Sequence, residues 1–468
     1  MQKSQLIQIF RTFSKKEIRD FKKWISSPMH NLREDVVKMY DYLTTSDHLS
    51  TENDLDKALV FKYLYPKEKF DDARMRQSMY FFMECLENFL IYQKFLEDET
   101  RQKSFLASVY KKRGLNKAFK KTVNTFLEKK EKDKNQSDAF FLSDYEVQKD
   151  LFDYTNQHER SEQTNFDAMQ AALDNYYLIN KLKLACVSLY HSKMFKVNYD
   201  VKLLNEIITY VNNIPDKEPL IDTYYNVLMT FMYPNEEDYF KALQEKIFQH
   251  TPSFTWSDGK EIYLSAINYG AGKLNQGKSE YRRDVFNLYK NGIELGFLLE
   301  NSVITTYTFK NVVTLGIHLK ELEWVEKFIH ECQIKLEEAQ RQGTVDFNLA
   351  MLYYAKKDYR KAQRLLASFE VDDLLITLNA KFLLIKIYVE EGEFDLLDTH
   401  LATMRAYLNR KEILGYHKNL YKNVIHFTKK INRINPYTKV EKEKLIIEIK
   451  EATPLADKEW FIRQVEAL

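Results

Sequence analysis

The stretch Leu349-Ala350-Met351-Leu352-Tyr353-Tyr354-Ala355-Lys356-Lys357-Asp358-Tyr359-Arg360-Lys361-Ala362 decides the fold. An apolar and small pair, Leu349-Ala350, precedes a polar turn at Lys357-Asp358, and the aromatic Tyr359 opens the segment that follows. The pattern returns. Trp324, Tyr359 and Phe394 stand 35 residues apart, each after an acidic residue: Glu323, Asp358 and Glu393. Ahead of them come the pairs Leu315-Gly316, Leu349-Ala350 and Leu384-Ile385, with His318, Tyr353 and Tyr388 in the same register. Self-similarity at such a period marks a repeat of one supersecondary unit. Here the unit is a helix–turn–helix, with a turn marked best by Glu391-Gly392. The small residue lets two helices approach closely, and the aromatic is expected to fill the wedge between them.

On these residues the chain resembles the tetratricopeptide-repeat-like (TPR-like) superfamily over about residues 310–409. The unit Leu349-Ala350, Tyr353, Lys357-Asp358-Tyr359 and Ala362 carries the resemblance best. The next unit has Leu397 where the family places a small residue, and the preceding one has Lys327. Tyr239 and Tyr281 are candidate earlier wedge aromatics at longer spacings. The resemblance implies a right-handed superhelix of stacked helix pairs that binds peptides or proteins without catalysis. It does not imply the clamp used on chaperone tails. The positions for that clamp are Val312, Gly316, Asn348, Asn379 and Leu383, and only Asn348 agrees.

The helical period extends outward in both directions. Met1 to Lys16 reads as an amphipathic helix with Leu6, Ile9, Phe10 and Phe13 inward. Ser14-Lys15-Lys16-Glu17 has capping-box spacing, in which Ser and Glu each satisfy a free backbone N–H. Ile18, Phe21 and Ile25 then share a face until Ser26-Ser27-Pro28 stops the helix, since proline disfavours helical geometry in the residue before it. A third helix is expected with Leu32, Val36, Met39 or Tyr40, and Leu43 inward. Ser50 or Thr51 is expected to cap a fourth, and Met75, Met79, Phe82, Leu86, Phe89 and Leu90 line a fifth. From about residue 101 the helices come in pairs, the first broken at Gly114. Long helices fill 140–197, and Pro215, Pro219, Pro234 and Pro252 punctuate the stretch that follows. After Pro436, Leu445, Ile446 and Ile449 suit one capping helix and Trp460, Phe461 and Val465 a second.

Composition agrees. Gly 11 and Pro 8 in 468 residues is about 4%, against roughly 12% in an average soluble protein. Tight β-turns need these two residues, so the composition argues against an all-β chain. The longest run without Asp, Glu, Lys or Arg, Thr223 to Asn235, is thirteen residues. A membrane-spanning helix needs about 20 apolar residues. No secretory leader is read at the N-terminus, and Cys85, Cys186 and Cys332 form no disulfide framework; both suit the cytoplasm. The ten histidines offer no H-E-x-x-H and the cysteines no paired spacing, so no metal ligand set stands out. His330 and Cys332 lie two apart, where helical side chains diverge. A Cys–His catalytic pair would have to come from distant segments.

Two features invite chemistry. Gly272-Lys273-Leu274-Asn275-Gln276-Gly277-Lys278-Ser279 fits GxxxxGK[ST]. In a phosphate loop, backbone N–H groups cradle the phosphates, Lys278 reaches the β/γ oxygens and Ser279 holds Mg²⁺. That requires a strand before Gly272. The bland reading ends a helix at Gly277 and caps the next with Ser279, and it is preferred because nothing else suggests a parallel sheet. The second feature is charge. Residues 101–134 hold twelve Lys or Arg and three Asp or Glu, a balance of +9 in a chain of net charge +2. Lys117, Lys120 and Lys121, with Arg113 just before and Lys111-Lys112 adding to the cluster, form a basic face opposite Leu115, Ala118, Phe119, Val123, Phe126 and Leu127. Such a face neutralises phosphates or attracts an acidic partner, or is simply a solvated helix surface.

The expectation is an all-α chain. It has an N-terminal helical module over 1–100, a TPR-like solenoid over 101–433 and capping helices over 434–468, since an open repeat end exposes core. The expected function is a non-catalytic cytoplasmic scaffold or adaptor holding a protein or peptide in a repeat groove, with no cofactor, catalytic or metal residues and no membrane. The alternatives are a nucleic-acid-associated or regulatory protein using the face at 111–121, and a nucleotide-binding enzyme at 272–279.

Overall fold

The computed structural model describes the chain apart from residues 46–47, 50–52, 133–136, 159–163, 368, 370–372 and 411–414. The described residues form 23 α-helices, four short 3₁₀ turns and no strand. Contacts divide the chain into two compact units, Met1–Leu178 and Ile179–Leu468.

Unit 1 begins with α1 (Gln5–Phe10), α2 (Lys15–Ser26), α3 (Glu34–Thr44), α4 (Lys57–Leu64) and α5 (Asp72–Glu97). The capping box at α2 is present: Glu17 N–H donates to Ser14 Oγ at 3.2 Å, and Ser14 N–H to the Glu17 carboxylate at 2.7 Å. These helices share a core in which Phe10, Phe21, Phe82 and Phe89 pack edge to face or tilted. α1 ends at Phe10, sooner than the amphipathic pattern suggested. Leu32 is 86% exposed, contrary to expectation. It precedes the first turn of α3, so it never enters the helical phase that buries Val36, Met39 and Leu43. The expected cap at Ser50 or Thr51 lies outside the described residues; α4 is capped by Asp56.

α6 (Glu99–Lys112), α7 (Asn116–Lys132) and α8 (Asp138–His158) follow, with α6 against both others. α9 (Phe166–Phe195) runs through the division between the units.

Unit 2 continues with α10 (Leu204–Asn212), α11 (Pro219–Met232), α12 (Glu237–His250), α13 (Trp256–Asn275) and α14 (Arg282–Glu294). Next come α15 (Thr306–His318), α16 (Leu322–Cys332), α17 (Glu338–Ala355), α18 (Tyr359–Ala367), α19 (Leu374–Glu391) and α20 (Phe394–Arg410). α21 (Gly415–Arg433), α22 (Lys439–Glu451) and α23 (Lys458–Ala467) end the chain. Contacts run between neighbours and next-but-one neighbours: α15 meets α16 and α17, α17 meets α18 and α19, and α19 meets α20 and α21.

One turn recurs. At Gly114, Gly277, Lys320, Lys357 and Gly392 the backbone is left-handed, with φ of +70°, +87°, +62°, +61° and +71°. In each, this residue's N–H donates to the carbonyl three back, and the next N–H to the carbonyl five back from itself, as in Glu321 to Gly316, Asp358 to Tyr353 and Glu393 to Tyr388 at 2.9 Å. These bonds satisfy carbonyls that a helix end leaves free.

The turn gives a different alignment of these helix pairs from the one the aromatics suggested. Aligned on Lys320, Lys357 and Gly392, the equivalents of Tyr359 and Phe394 include Leu322, not Trp324. The spacings are then 37 and 35. Val325, Ala362 and Leu397 become equivalent, and all are fully buried. Hence Lys327 does not occupy the small-residue position. Nor do the aromatics all fill wedges: Trp324 is half-buried between Phe286 and Phe328, and Phe394 is 53% exposed. Close approach is real at Gly316, where a Cβ would stand 2.4 Å from Val325 Cγ2.

Candidate functional site

The turns that end α17 and α19 are brought together with the C-terminal part of α21 and with α23. Between them lies a cavity of about 850 Å³. At its back is Glu390. Its carboxylate accepts from Tyr359 Oη at 2.5 Å, from Trp460 Nε1 at 2.7 Å and from Tyr354 Oη. Burial, and then the Glu390 charge, push both phenols above their ordinary values, so both remain donors. Lys386 lies behind, paired with Asp457, its Nζ 4.8 Å from the Phe382 ring centre and 5.7 Å from that of Trp460. Three donors on one carboxylate make Glu390 a fixed anchor rather than a free base. Towards solvent the cavity is walled by Phe394, Leu468, Lys357, Asn432, Arg463 and Gln464. The two apolar members are half exposed. The arrangement offers apolar contact flanked by cationic and amide donors, which suits binding more than bond-making.

Sequence reasoning treated Tyr359 as a wedge and Trp460 as cap packing. Their meeting at Glu390 had no local signal, because the residues come from three separated segments.

Part of the basic segment is paired with carboxylates just before it and on α8. Lys111 Nζ pairs with Asp150 at 2.9 Å and Asp153 at 2.8 Å on α8. Burial alone would lower the Lys111 pKa, but these carboxylates outweigh it and raise it. Lys130 reaches the fully buried Asp144 at 2.6 Å, Lys129 and Lys103 share Glu99, and Arg101 pairs with Glu146. Lys111 therefore belongs to the packing of α6 on α8 and not to an open face. Lys120 stands 5.5 Å from the Tyr154 ring centre. Lys112, Arg113, Lys117 and Lys121 are exposed and have no ion pair among the described residues.

The octapeptide at 272–279 straddles a helix end. Gly272 lies within α13, which is helical back to Trp256, so no strand precedes it. Gly277 forms the left-handed turn, and Lys278 Nζ pairs with Glu237 at 3.2 Å. Ser279 does not cap α14; it opens a 3₁₀ turn whose Tyr281 is buried. The N–H groups of Gln276, Gly277 and Lys278 are bonded to helix carbonyls, so they form no phosphate cradle.

Cys85 and Cys186 are buried and Cys332 half-buried; all three are free. Burial pushes the Cys186 thiol well above its usual range. Among the described residues no group of three or more His, Cys, Asp or Glu is placed to hold a metal, and no helix is long and apolar enough to cross a membrane. Asn348, the one agreeing clamp position, is buried, and its amide donates to Thr344 O at 2.7 Å.

No family model, curated protein or solved structure matches the chain.

Proposed function

We propose that the protein is a non-catalytic adaptor, a TPR-like array of helix pairs whose cavity at the ends of α17, α19, α21 and α23 receives a peptide segment of a protein partner. One observation carries this reading: an open cavity of about 850 Å³ with half-exposed Phe394 and Leu468 beside Arg463, Gln464 and Asn432. Ligand pockets are typically about 300–1,000 Å³, largely apolar with a few placed polar groups. Free cysteines suit the cytoplasm as its setting.

The nucleic-acid reading of 111–121 rests on fewer cations, since the open part of that face is Lys112, Arg113, Lys117 and Lys121. It requires that changing Lys117, Lys120 and Lys121 to Glu weaken binding.

The test is affinity capture from nuclease-treated cell extract with the wild type and with a Phe394→Asp/Arg463→Glu variant. A protein held by the first and lost from the second supports the cavity as the binding site. Identical capture by both overturns it.

A further inference from the structure

Between Glu412 and Glu441 the sequence holds Lys418, Lys422, Lys429, Lys430, Arg433 and Lys439 and no acidic residue. Helical spacing gathers these charges. At about 100° per residue, Lys418, Lys422, His426, Lys429 and Arg433 fall within about 80° of the α21 circumference and extend about 22 Å along its axis. The other side of α21 is committed to the core through the buried Tyr421, Val424 and Ile431, so the strip faces outward. Lys418, Lys422, Lys429 and Arg433 have no ion-pair partner among the described residues. Like charges three and four apart oppose the helix, and a bound polyanion relieves that opposition.

Beside the strip lies a groove of about 500 Å³ between α21 and α22. Ile434 and Leu445 contribute its apolar surface, with Lys429, Arg433 and Lys444 around them. Lys430 pairs with Glu448, which removes one of the groove's two negative charges. Tyr437, in the loop joining the two helices, is 94% exposed. That loop is held by Tyr437 N–H donating to Asn435 Oδ1 at 3.1 Å.

We propose that the α21 strip and its groove bind single-stranded nucleic acid, the cations tracking the phosphates and Tyr437 stacking on a base. A charged groove with an aromatic platform is the usual construction of such sites. The strip is one helix wide, and the exposed Glu441 and Glu443 on α22 oppose a second phosphate strand or a flat anionic bilayer. The groove adjoins the cavity at the ends of α17, α19, α21 and α23 and shares Ile434 with it, but Lys429, Arg433 and Lys444 do not line that cavity, and the proposal does not depend on the adaptor reading.

The experiment is fluorescence anisotropy of the full chain with labelled oligothymidylate of about 15 nucleotides, within the usual site sizes. Affinity should fall with salt at a log–log slope near −3, about 0.7 for each of four neutralised phosphates. Lys422→Glu/Lys429→Glu/Arg433→Glu should weaken binding more than tenfold. Tyr437→Ala should weaken it roughly five- to hundredfold. Changing Lys112, Arg113, Lys117 and Lys121 to Glu, or Arg463 to Glu, should leave it unchanged. If the triple reversal does not fold, Lys422→Gln/Arg433→Gln must flatten the slope by about 1.4. No binding at about 50 mM salt, or binding indifferent to the α21 variants, overturns the proposal. So does equal affinity for a duplex of the same length, equal competition by polyglutamate, or preferential binding to phosphatidylserine vesicles.

Discussion

Trp460 Nε1 donates to Glu390 Oε1 at 2.7 Å and so ties α23 to the end of α19 across 70 residues of chain. The same carboxylate takes the hydroxyls of Tyr354 and Tyr359. Trp460→Phe removes the donor together with part of the buried indole. A hydrogen bond to a charged acceptor contributes about 1.5–3 kcal/mol, and urea denaturation should show at least that loss, since the vacated ring volume adds a cavity cost. Combining Trp460→Phe with Glu390→Gln should cost less than the sum of the two. Simple additivity would mean that the bond is not what couples these helices.

The left-handed turn is occupied by Gly at residue 392 but by Lys at residues 320 and 357. An L-residue there costs about 1–2 kcal/mol in the backbone. Part of this returns through the greater freedom of glycine in the unfolded chain. Lys320→Gly is expected to raise the unfolding free energy by about 0.5–1 kcal/mol. Gly392→Ala, where an added Cβ meets nothing within 4 Å, should lower it by about 1 kcal/mol through backbone strain alone. Thermal midpoints of the two variants should move in opposite directions.

At Gly316 the cost is steric. The Cβ of alanine would stand 2.4 Å from Val325 Cγ2 and 3.2 Å from Phe286 Cε2. Overpacking of this kind costs about 1–3 kcal/mol. Val325→Ala alone is destabilising, because it empties a fully buried position. In the Gly316→Ala background the same change should cost clearly less, and a double-mutant cycle reads the difference.

Acid should loosen the N-terminal helices through Asp35. Burial pushes its carboxyl up, but the bidentate Arg33 guanidinium and the hydroxyls of Tyr65 and Ser78 outweigh burial and hold it at about 2. A carboxyl depressed in the folded state stabilises it above the unfolded pKa, about 3.9, and loses that contribution as pH falls through the folded value. The window is therefore about pH 4 down to 2, and the amount about 2 kcal/mol. Asp35→Asn should flatten the acid limb of the stability profile over that window. An unchanged limb would show that Asp35 is not the group being titrated.

Local signals in the sequence reached the local structure. The helical class, the Ser14 cap, the stop before Pro28, the inward Phe82 and Phe89 and the helix pair on either side of Gly114 all follow from spacing within one or two turns. The errors arise where the determining contact is remote. Lys111 looked free because Asp150 and Asp153 lie on α8, about forty residues on. Trp324 was placed by a 35-residue interval, whereas the turn at Lys320 aligns Leu322 with Tyr359 and Phe394. The Glu390 cluster was invisible for the same reason, since its donors come from α17, α18 and α23. The cationic run of α21 was readable but stood out less, because its lysines are spread from Lys418 to Lys439 rather than bunched.

The recurring turn also governs where this chain tolerates changes of length. One extra residue beside Lys320, Lys357 or Gly392 would rotate the following helix by about 100° and swing Val325, Ala362 or Leu397 out of the core. In the connection from Leu295 to Thr305, Phe297, Leu298 and Ile304 are buried, so only its exposed tip at Asn301 and Ser302 is without such a constraint. Insertions and deletions should therefore accumulate between helix pairs, while the turns within pairs keep their length. A loop-insertion library scored for soluble folded product would show the chain divided into indivisible two-helix words.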